Sequence, residues 1–138
     1  MENLNIELQK LSYLKQNIHE LRKSYDELNN METKKILKDI IKISDKVYKE
    51  VVVNTDKLYK VERFTNYYLV TVQKIVEKYI KLNQDIIRDS QNEAFFVKIE
   101  EFLKNVTISF EDLYKSLYND EIIDLDAEMQ VMEKEIKI

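Results

Sequence analysis

The sequence predicts an all-α protein, an antiparallel up-and-down bundle of four to five helices whose N-terminal helix carries a heptad seam. Three observations support this. The 138 residues include no glycine and no proline, so the usual builders of tight hairpins, phosphate-binding loops and barrel turns are missing. Apolar residues recur every three or four positions along most of the chain, which is the period of a helix. The interruptions are about two to five residues long, and short connections favour antiparallel helices.

The first periodic segment has a seven-residue repeat typical of coiled coils. Its seam residues are Leu4, Leu11, Leu14, Ile18, Leu21, Tyr25 and Leu28. We interpret residues 1–30 as a coiled-coil-like helix and residues 31–138 as the main bundle domain. A seam of large apolar residues needs a partner, and two remain open: the rest of the same bundle, or a second copy that pairs through the Leu4–Leu28 helix as an oligomerisation arm.

The next two helices follow from the breaks that bound them. Asn29 and Asn30 interrupt the pattern, and Glu32, three residues after Asn29, is a loose capping box for a second helix that runs to about residue 53. A third pattern from Leu58 to Ile86 is nearly unbroken. It predicts the longest and most apolar helix, which we expect to be central.

Two helices complete the prediction. Ser90 and Glu93 form a capping box, so a fourth helix should begin there. We expect its inward residues to be Phe95, Ile99, Phe102, Val106, Phe110, Leu113 and Leu117. The acidic residues 119–124 should fray its end. A short last helix then carries Leu125, Met129, Met132 and Ile136 on one side.

Composition narrows the classes of partner. Twenty-six acidic and 22 basic side chains give a net charge of −4 and are spread along the chain, so we predict no nucleic-acid partner. The absence of cysteine excludes disulfides, thiolate metal sites and a cysteine nucleophile. No apolar run approaches the roughly 18 residues of a membrane span, and the N-terminus lacks the pattern of a signal peptide. We therefore expect a cytoplasmic protein without a membrane span.

The sequence predicts no catalytic residue, no metal and no cofactor. His19 is the only histidine, and its heptad position predicts a surface location. A di-iron bundle would need two Glu-x-x-His motifs, and a serine or threonine nucleophile would need a base and an oxyanion cradle. Neither set of residues is present.

Acidic residues cluster near the C-terminus: Asp120, Glu121, Asp124, Asp126 and Glu128. The Asp124-Leu125-Asp126 sequence superficially resembles the Asp-x-Asp of haloacid-dehalogenase-type phosphatases, but that motif follows a parallel strand and needs neighbouring glycines. We interpret the cluster as helix capping and solvation, with divalent-cation binding as the alternative.

Two surface patches are candidates for binding a partner. Arg63, Tyr67 and Lys74 are spaced by four and seven residues, so they form one strip along the third helix. The turn from Asp120 through Asp124 to Asp126 is the second patch. The alternative for the strip is that Tyr67 packs within the bundle and Lys74 is merely solvated.

Two segments resemble the bacterial XpaC-like family, named for 5-bromo-4-chloroindolyl phosphate hydrolysis. The first motif comprises Lys57-Leu58, Arg63-Phe64, Tyr67-Tyr68-Leu69, Thr71, Lys74 and Tyr79. The second comprises Phe110-Glu111, Leu117, Asp120, Asp124-Leu125-Asp126, Val131 and Glu133. The resemblance covers residues 31 to the end. Where the family often has proline, this chain has Thr55, Tyr59 and Val70, so we expect a straighter third helix.

The resemblance implies an accessory role beside TelA-type toxic-anion (tellurite) resistance proteins, whereas the family name implies hydrolysis of a phosphate ester. We favour a non-enzymatic helical bundle that binds a partner protein in toxic-anion or envelope-stress resistance, because the glycine-free helical pattern brings no nucleophile, base and anion cradle together. The alternatives are a metal-dependent phosphohydrolase that uses Asp124 and Asp126, and a coiled-coil scaffold.

Overall fold

A computed structural model describes residues 2–137, and every regular element in that range is helical. The five α-helices are α1 (Glu2–Glu27), α2 (Met31–Val53), α3 (Leu69–Asp85), α4 (Glu93–Ser116) and α5 (Asn119–Ile136). A 3-10 segment (Thr55–Val61) and a π-helical segment (Phe64–Tyr68) lead into α3. The predicted all-α bundle is confirmed.

Contacts between helices establish the up-and-down order. The Asn17 amide donates to the Thr65 carbonyl at 2.8 Å, and the Gln73 amide donates to the Ser24 hydroxyl at 3.0 Å. Residue numbers therefore rise together along α1 and α3, which lie parallel and in direct contact, and α2 is the antiparallel return in the chain from one to the other. Tyr118, just beyond α4, donates to Glu50 near the end of α2 at 2.7 Å. Glu32, at the start of α2, pairs with Lys104 of α4 at 3.2 Å. Residue numbers therefore rise together along α2 and α4 as well, and these two helices run opposite to α1 and α3.

The core is formed by one face of each of the first four helices. Helix α1 packs against α2 and α3, and α2 also packs against α4. The seam of α1 contributes Leu14, Ile18 and Leu21, all fully buried or nearly so, whereas Leu4 is exposed. The central part of the seam is thus covered by the same chain. On α3 the largest buried side chain is Tyr79, whose hydroxyl bonds the buried Thr33 hydroxyl at 3.0 Å.

Both predicted caps differ from the structure. Helix α2 is capped by Asn30, whose Oδ1 accepts from the backbone N–H groups of Glu32 and Thr33; the expected cap one residue earlier, at Asn29, was wrong. The Ser90 capping box was also wrong, because α4 begins only at Glu93. The Glu93 carboxylate is bound by Arg88 instead, at 2.6 and 2.7 Å.

The burial of α4 also differs from the prediction. Phe95 and Phe102 are exposed to 54% and 40%, while the adjacent Phe96 and Leu103 are fully buried. Apolar residues stand side by side at both places, so the helical period fits either register. Packing against the core selects the second residue of each pair.

Residues 119–124 do not fray as expected, since α5 begins at Asn119. Asp120 and Glu121 lie in its first turn, where negative charge is favoured by the helix dipole. The turn immediately before Val70 is π-helical, and the expectation that the third helix is straighter than in the family stays a prediction. None of the helices between residues 2 and 137 is long and apolar enough to cross a membrane.

Candidate functional site

The fold brings the two sequence motifs into contact, and we call this region the motif junction. The rings of Phe64 and Phe110 pack edge to face with centroids 4.8 Å apart. Lys57 Nζ lies 2.5 Å from the Glu121 carboxylate. Lys60 Nζ lies 3.3 Å from the Asp120 carboxylate. The junction is therefore held by an aromatic pair in the core and by ion pairs at its edge.

An open groove of about 740 Å³ adjoins the motif junction, between α3 with its π segment and α4. We call it the α3–α4 groove. Its lining is mostly apolar and consists of Tyr67, Tyr68, Thr71, Val72, Phe102, Asn105, Val106, Ser109, Phe110, Asp112, Leu113 and Ser116. A volume of this size, with aromatic walls and a few polar groups, is typical of sites that take up apolar ligand groups.

The π-helical segment explains how two consecutive tyrosines both reach this groove. The Leu69 N–H bonds the carbonyl of Phe64, five residues back, so this turn holds one residue more than an α-turn. Tyr67 and Tyr68 are consequently both exposed, to 51% and 40%, with their rings edge to face at 5.7 Å. π-bulges are frequent at functional sites, and this one falls on the first family motif.

Arg63 contacts both tyrosines of the groove wall without lining the groove itself. Its guanidinium carbon lies 4.7 Å from the ring centre of Tyr67 and 5.5 Å from that of Tyr68. Its Nε also donates to the Tyr68 hydroxyl at 3.3 Å. Lys74, the third residue of the predicted strip, is exposed further along α3 and does not line the groove. The structure thus joins Arg63 and Tyr67 and leaves Lys74 apart from them.

A buried lysine organises the other side of the motif junction. Lys57 is only 6% exposed, and its Nζ donates to Glu50 at 2.9 Å as well as to Glu121. The same ammonium lies 4.9 Å from the ring centre of Tyr118. Because these partners come from α2, from the α4–α5 connection and from α5, Lys57 ties the base of α5 to the bundle.

The shifts in pKa follow from these hydrogen bonds. Bonds from Tyr118 and then Lys57 lower the pKa of Glu50, and a bond from Lys57 lowers the pKa of Glu121. Burial works to lower the pKa of Lys57, but its bonds to Glu121 and Glu50 outweigh burial and raise it. Hydrogen bonds to Tyr114 and Glu50 raise the pKa of Tyr118. The cluster is therefore charged at neutral pH, with the tyrosine in its neutral form.

The C-terminal acids are placed differently from one another. Asp120 and Asp124 line a polar cleft of about 230 Å³ beside Lys60. Asp126 does not line this cleft and accepts from Gln130 Nε2 at 2.9 Å. Residues two apart on a helix do not share a face, so the structure does not bring Asp124 and Asp126 together.

Within residues 2–137, no three carboxylate or imidazole side chains are close enough together to hold a metal ion. His19 is exposed on α1, as predicted.

Sequence reasoning missed the groove and the Lys57 cluster. Two signals were available for the cluster: Lys57 belongs to the first motif, and Glu121 adjoins Asp120 of the second. For the groove, the signal was the pair Phe102-Leu103, of which only one residue can enter the core.

The comparison with known families agrees with the motifs. The sequence model of the family described as "5-bromo-4-chloroindolyl phosphate hydrolysis protein" matches residues 4–132. The chain belongs to this family. The match includes most of α1 and so reaches further toward the N-terminus than the two motifs indicated. No curated protein and no solved structure gave a significant match.

Proposed function

We propose that this member of the XpaC-like family is a cytoplasmic, non-enzymatic protein-binding module in bacterial toxic-anion (tellurite) or envelope-stress resistance. Its partner would be a TelA-type protein, which places apolar side chains of a helix in the α3–α4 groove. The observation that carries this proposal is the groove itself, an aromatic-walled cleft at the junction of both motifs.

The chemistry of the groove supports a protein ligand. Tyrosine and arginine are enriched at the centres of protein interfaces, and here Arg63 stacks on Tyr67 and Tyr68 at the groove wall. Phe102 lines the groove and is 40% exposed. An aromatic side chain held at a surface in this way costs free energy until another apolar surface covers it.

Binding can be measured by titrating the full chain into a TelA-type protein of the same organism, using isothermal titration calorimetry. Phe102→Glu places a charge in the groove and should weaken binding at least tenfold. The matched control is Ile108→Glu, on the same helix, where the native residue is 58% exposed and does not line the groove. The double change Tyr67→Ala and Lys74→Ala tests the strip predicted from sequence.

Three results would contradict this proposal: no binding by the unaltered chain, equal losses in Phe102→Glu and Ile108→Glu, or unchanged binding in both. Circular dichroism of each variant separates a loss of binding from a loss of fold.

Hydrolysis of a phosphate ester is the second candidate, favoured by the description of the family. Asp120 and Asp124 line a cleft beside Lys60. In this reading the two carboxylates would bind a divalent metal, and the lysine ammonium would bind a phosphate group. Purified protein with Mg²⁺ or Mn²⁺ and a chromogenic indolyl phosphate tests this directly. Turnover that is lost in Asp124→Asn and kept in Asp126→Asn would favour the enzyme, and absence of turnover would remove it.

A further inference from the structure

Helix α5 presents an apolar surface that the rest of the bundle does not cover. All of its residues are exposed, although its sequence includes Ile122, Leu125, Met129, Met132 and Ile136. These five side chains are 53–59% exposed. They succeed one another by steps of three, four, three and four, which is the a and d spacing of a coiled coil.

The residues that flank this seam all carry the same charge. With Ile122 at an a position, the e and g positions hold Glu121, Asp126, Glu128, Glu133 and Glu135. Every flanking position is therefore acidic. The whole helix has seven acidic residues against one lysine, so its negative charge exceeds the net charge of −4 of the entire chain.

Charge at e and g positions decides which helices pair. Two copies of α5 would bring like charges together in either orientation, which is destabilising. A helix with the same apolar spacing and with lysine or arginine at its e and g positions would form favourable ion pairs instead. We propose that α5 forms a heterotypic coiled coil with such a basic amphipathic helix of another protein.

The size of the seam sets the strength expected of this contact. Five large side chains, each a little over half exposed, and their counterparts would bury on the order of 1,000 Å² in total, near the lower limit for a specific interface. Contacts of this size are weak unless other contacts are added, so we expect a dissociation constant of about micromolar.

The base of α5 is held in place before any partner arrives. Lys57 binds Glu121 at 2.5 Å, and Lys60 binds Asp120 at 3.3 Å. These contacts leave Asp126, Glu128, Glu133 and Glu135 exposed beside the seam. An already formed helix loses less conformational entropy on binding than a disordered segment. The seam does not line the α3–α4 groove, so this inference is independent of the proposed function.

Two synthetic peptides of three heptads test the inference on the full chain. Both have Ile and Leu at a and d, and they differ only in having Lys or Glu at every e and g position. Fluorescence anisotropy should give a Kd of about micromolar for the Lys peptide, weakening with added salt, and at least tenfold weaker binding for the Glu peptide. Reversing the charges at two of the five flanking positions, with Glu128→Lys and Glu133→Lys, should remove most of the preference for the Lys peptide.

A seam variant separates coiled-coil pairing from simple charge attraction. Met129→Asp should reduce binding of the Lys peptide at least tenfold. Val131→Asp adds the same charge at an exposed position away from the seam and should stay within twofold of the unaltered chain. Phe102→Glu should also leave peptide binding unchanged. Failure of the proposed function and failure of this inference can therefore be told apart, because the groove variant affects only binding of the TelA-type protein and the seam variant affects only binding of the peptide.

Equal effects of Met129→Asp and Val131→Asp would overturn the proposal, as would a failure to distinguish the two peptides. Light scattering that shows self-association of the unaltered chain, abolished by Met129→Asp, would assign the seam to a second copy instead.

Discussion

Replacing Lys57 by methionine tests the buried ion cluster at the motif junction. Methionine fills a similar volume and has no charge. The change removes the cation bound to Glu50, whose side chain is 13% exposed, and to Glu121, whose side chain is 47% exposed. Glu121 can return to water, so the cost should come mainly from Glu50.

The magnitude follows from what Glu50 keeps. Removing one partner of a fully buried pair costs about 3–5 kcal/mol. Glu50 retains its bonds from the Tyr118 hydroxyl and the Asn54 amide, at 2.7 Å each, so we expect a smaller loss, about 2–3 kcal/mol of the free energy of unfolding. For a chain of this length the melting temperature should fall by about 6–12 °C.

Urea unfolding followed by circular dichroism measures this loss, and two further variants isolate its origin. Glu50→Gln in the Lys57→Met background removes the uncompensated charge, and the two changes should be non-additive by about 1 kcal/mol or more. Lys23→Met is the control, because Lys23 is 59% exposed beside Glu20 at 3.3 Å and should cost about 0.5 kcal/mol or less. A loss in Lys57→Met no larger than in this control, or strict additivity of the double change, would refute the reasoning.

Three other predictions concern the bundle. The pKa of Glu50 is lowered from 4.5, so ionised Glu50 stabilises the folded state above pH 4.5 and this contribution is lost as the pH falls through the lowered pKa. Urea unfolding at acid pH should therefore show a decline in stability that is shallower in Glu50→Gln. Identical declines in the two proteins would contradict this prediction. Tyr79→Phe leaves the buried Thr33 hydroxyl without its partner and should cost about 1–2 kcal/mol in urea melts, with the cost largely recovered by adding Thr33→Val. Asn30→Ala removes the hydrogen-bond acceptor at the start of α2, so the free energy of unfolding should fall by about 1 kcal/mol, with a lower melting temperature. Asn29→Ala should have a smaller effect, and equal effects of the two changes would contradict the assignment of Asn30 as the cap.

The motif junction explains why motif residues were hard to interpret from sequence. The segments that contain Phe64 and Phe110 are separated by most of α3 and α4, and only packing of the two helices brings the rings together. Lys57 and Glu121 are likewise distant in sequence. A periodic pattern predicts that a residue faces inward, but it does not specify which residue it meets.

Local chemistry was sufficient to predict the class of fold. A chain without glycine or proline, with apolar residues every three or four positions, favours helices. This prediction of secondary structure does not depend on which helices pack together. The apolar seam of α5 was visible for the same reason, because Leu125, Met129, Met132 and Ile136 show their spacing in the sequence alone.

Tertiary packing decided everything that depends on a choice between adjacent residues. Phe95 and Phe96 satisfy the helical period equally well, and only the shape of the core selects Phe96. The π turn at Phe64–Tyr68 likewise shifts the register by one residue and turns both tyrosines outward. A π turn is rare, and the apolar spacing of one helix does not indicate where such a turn falls. Its position therefore depends on packing against the neighbouring helices.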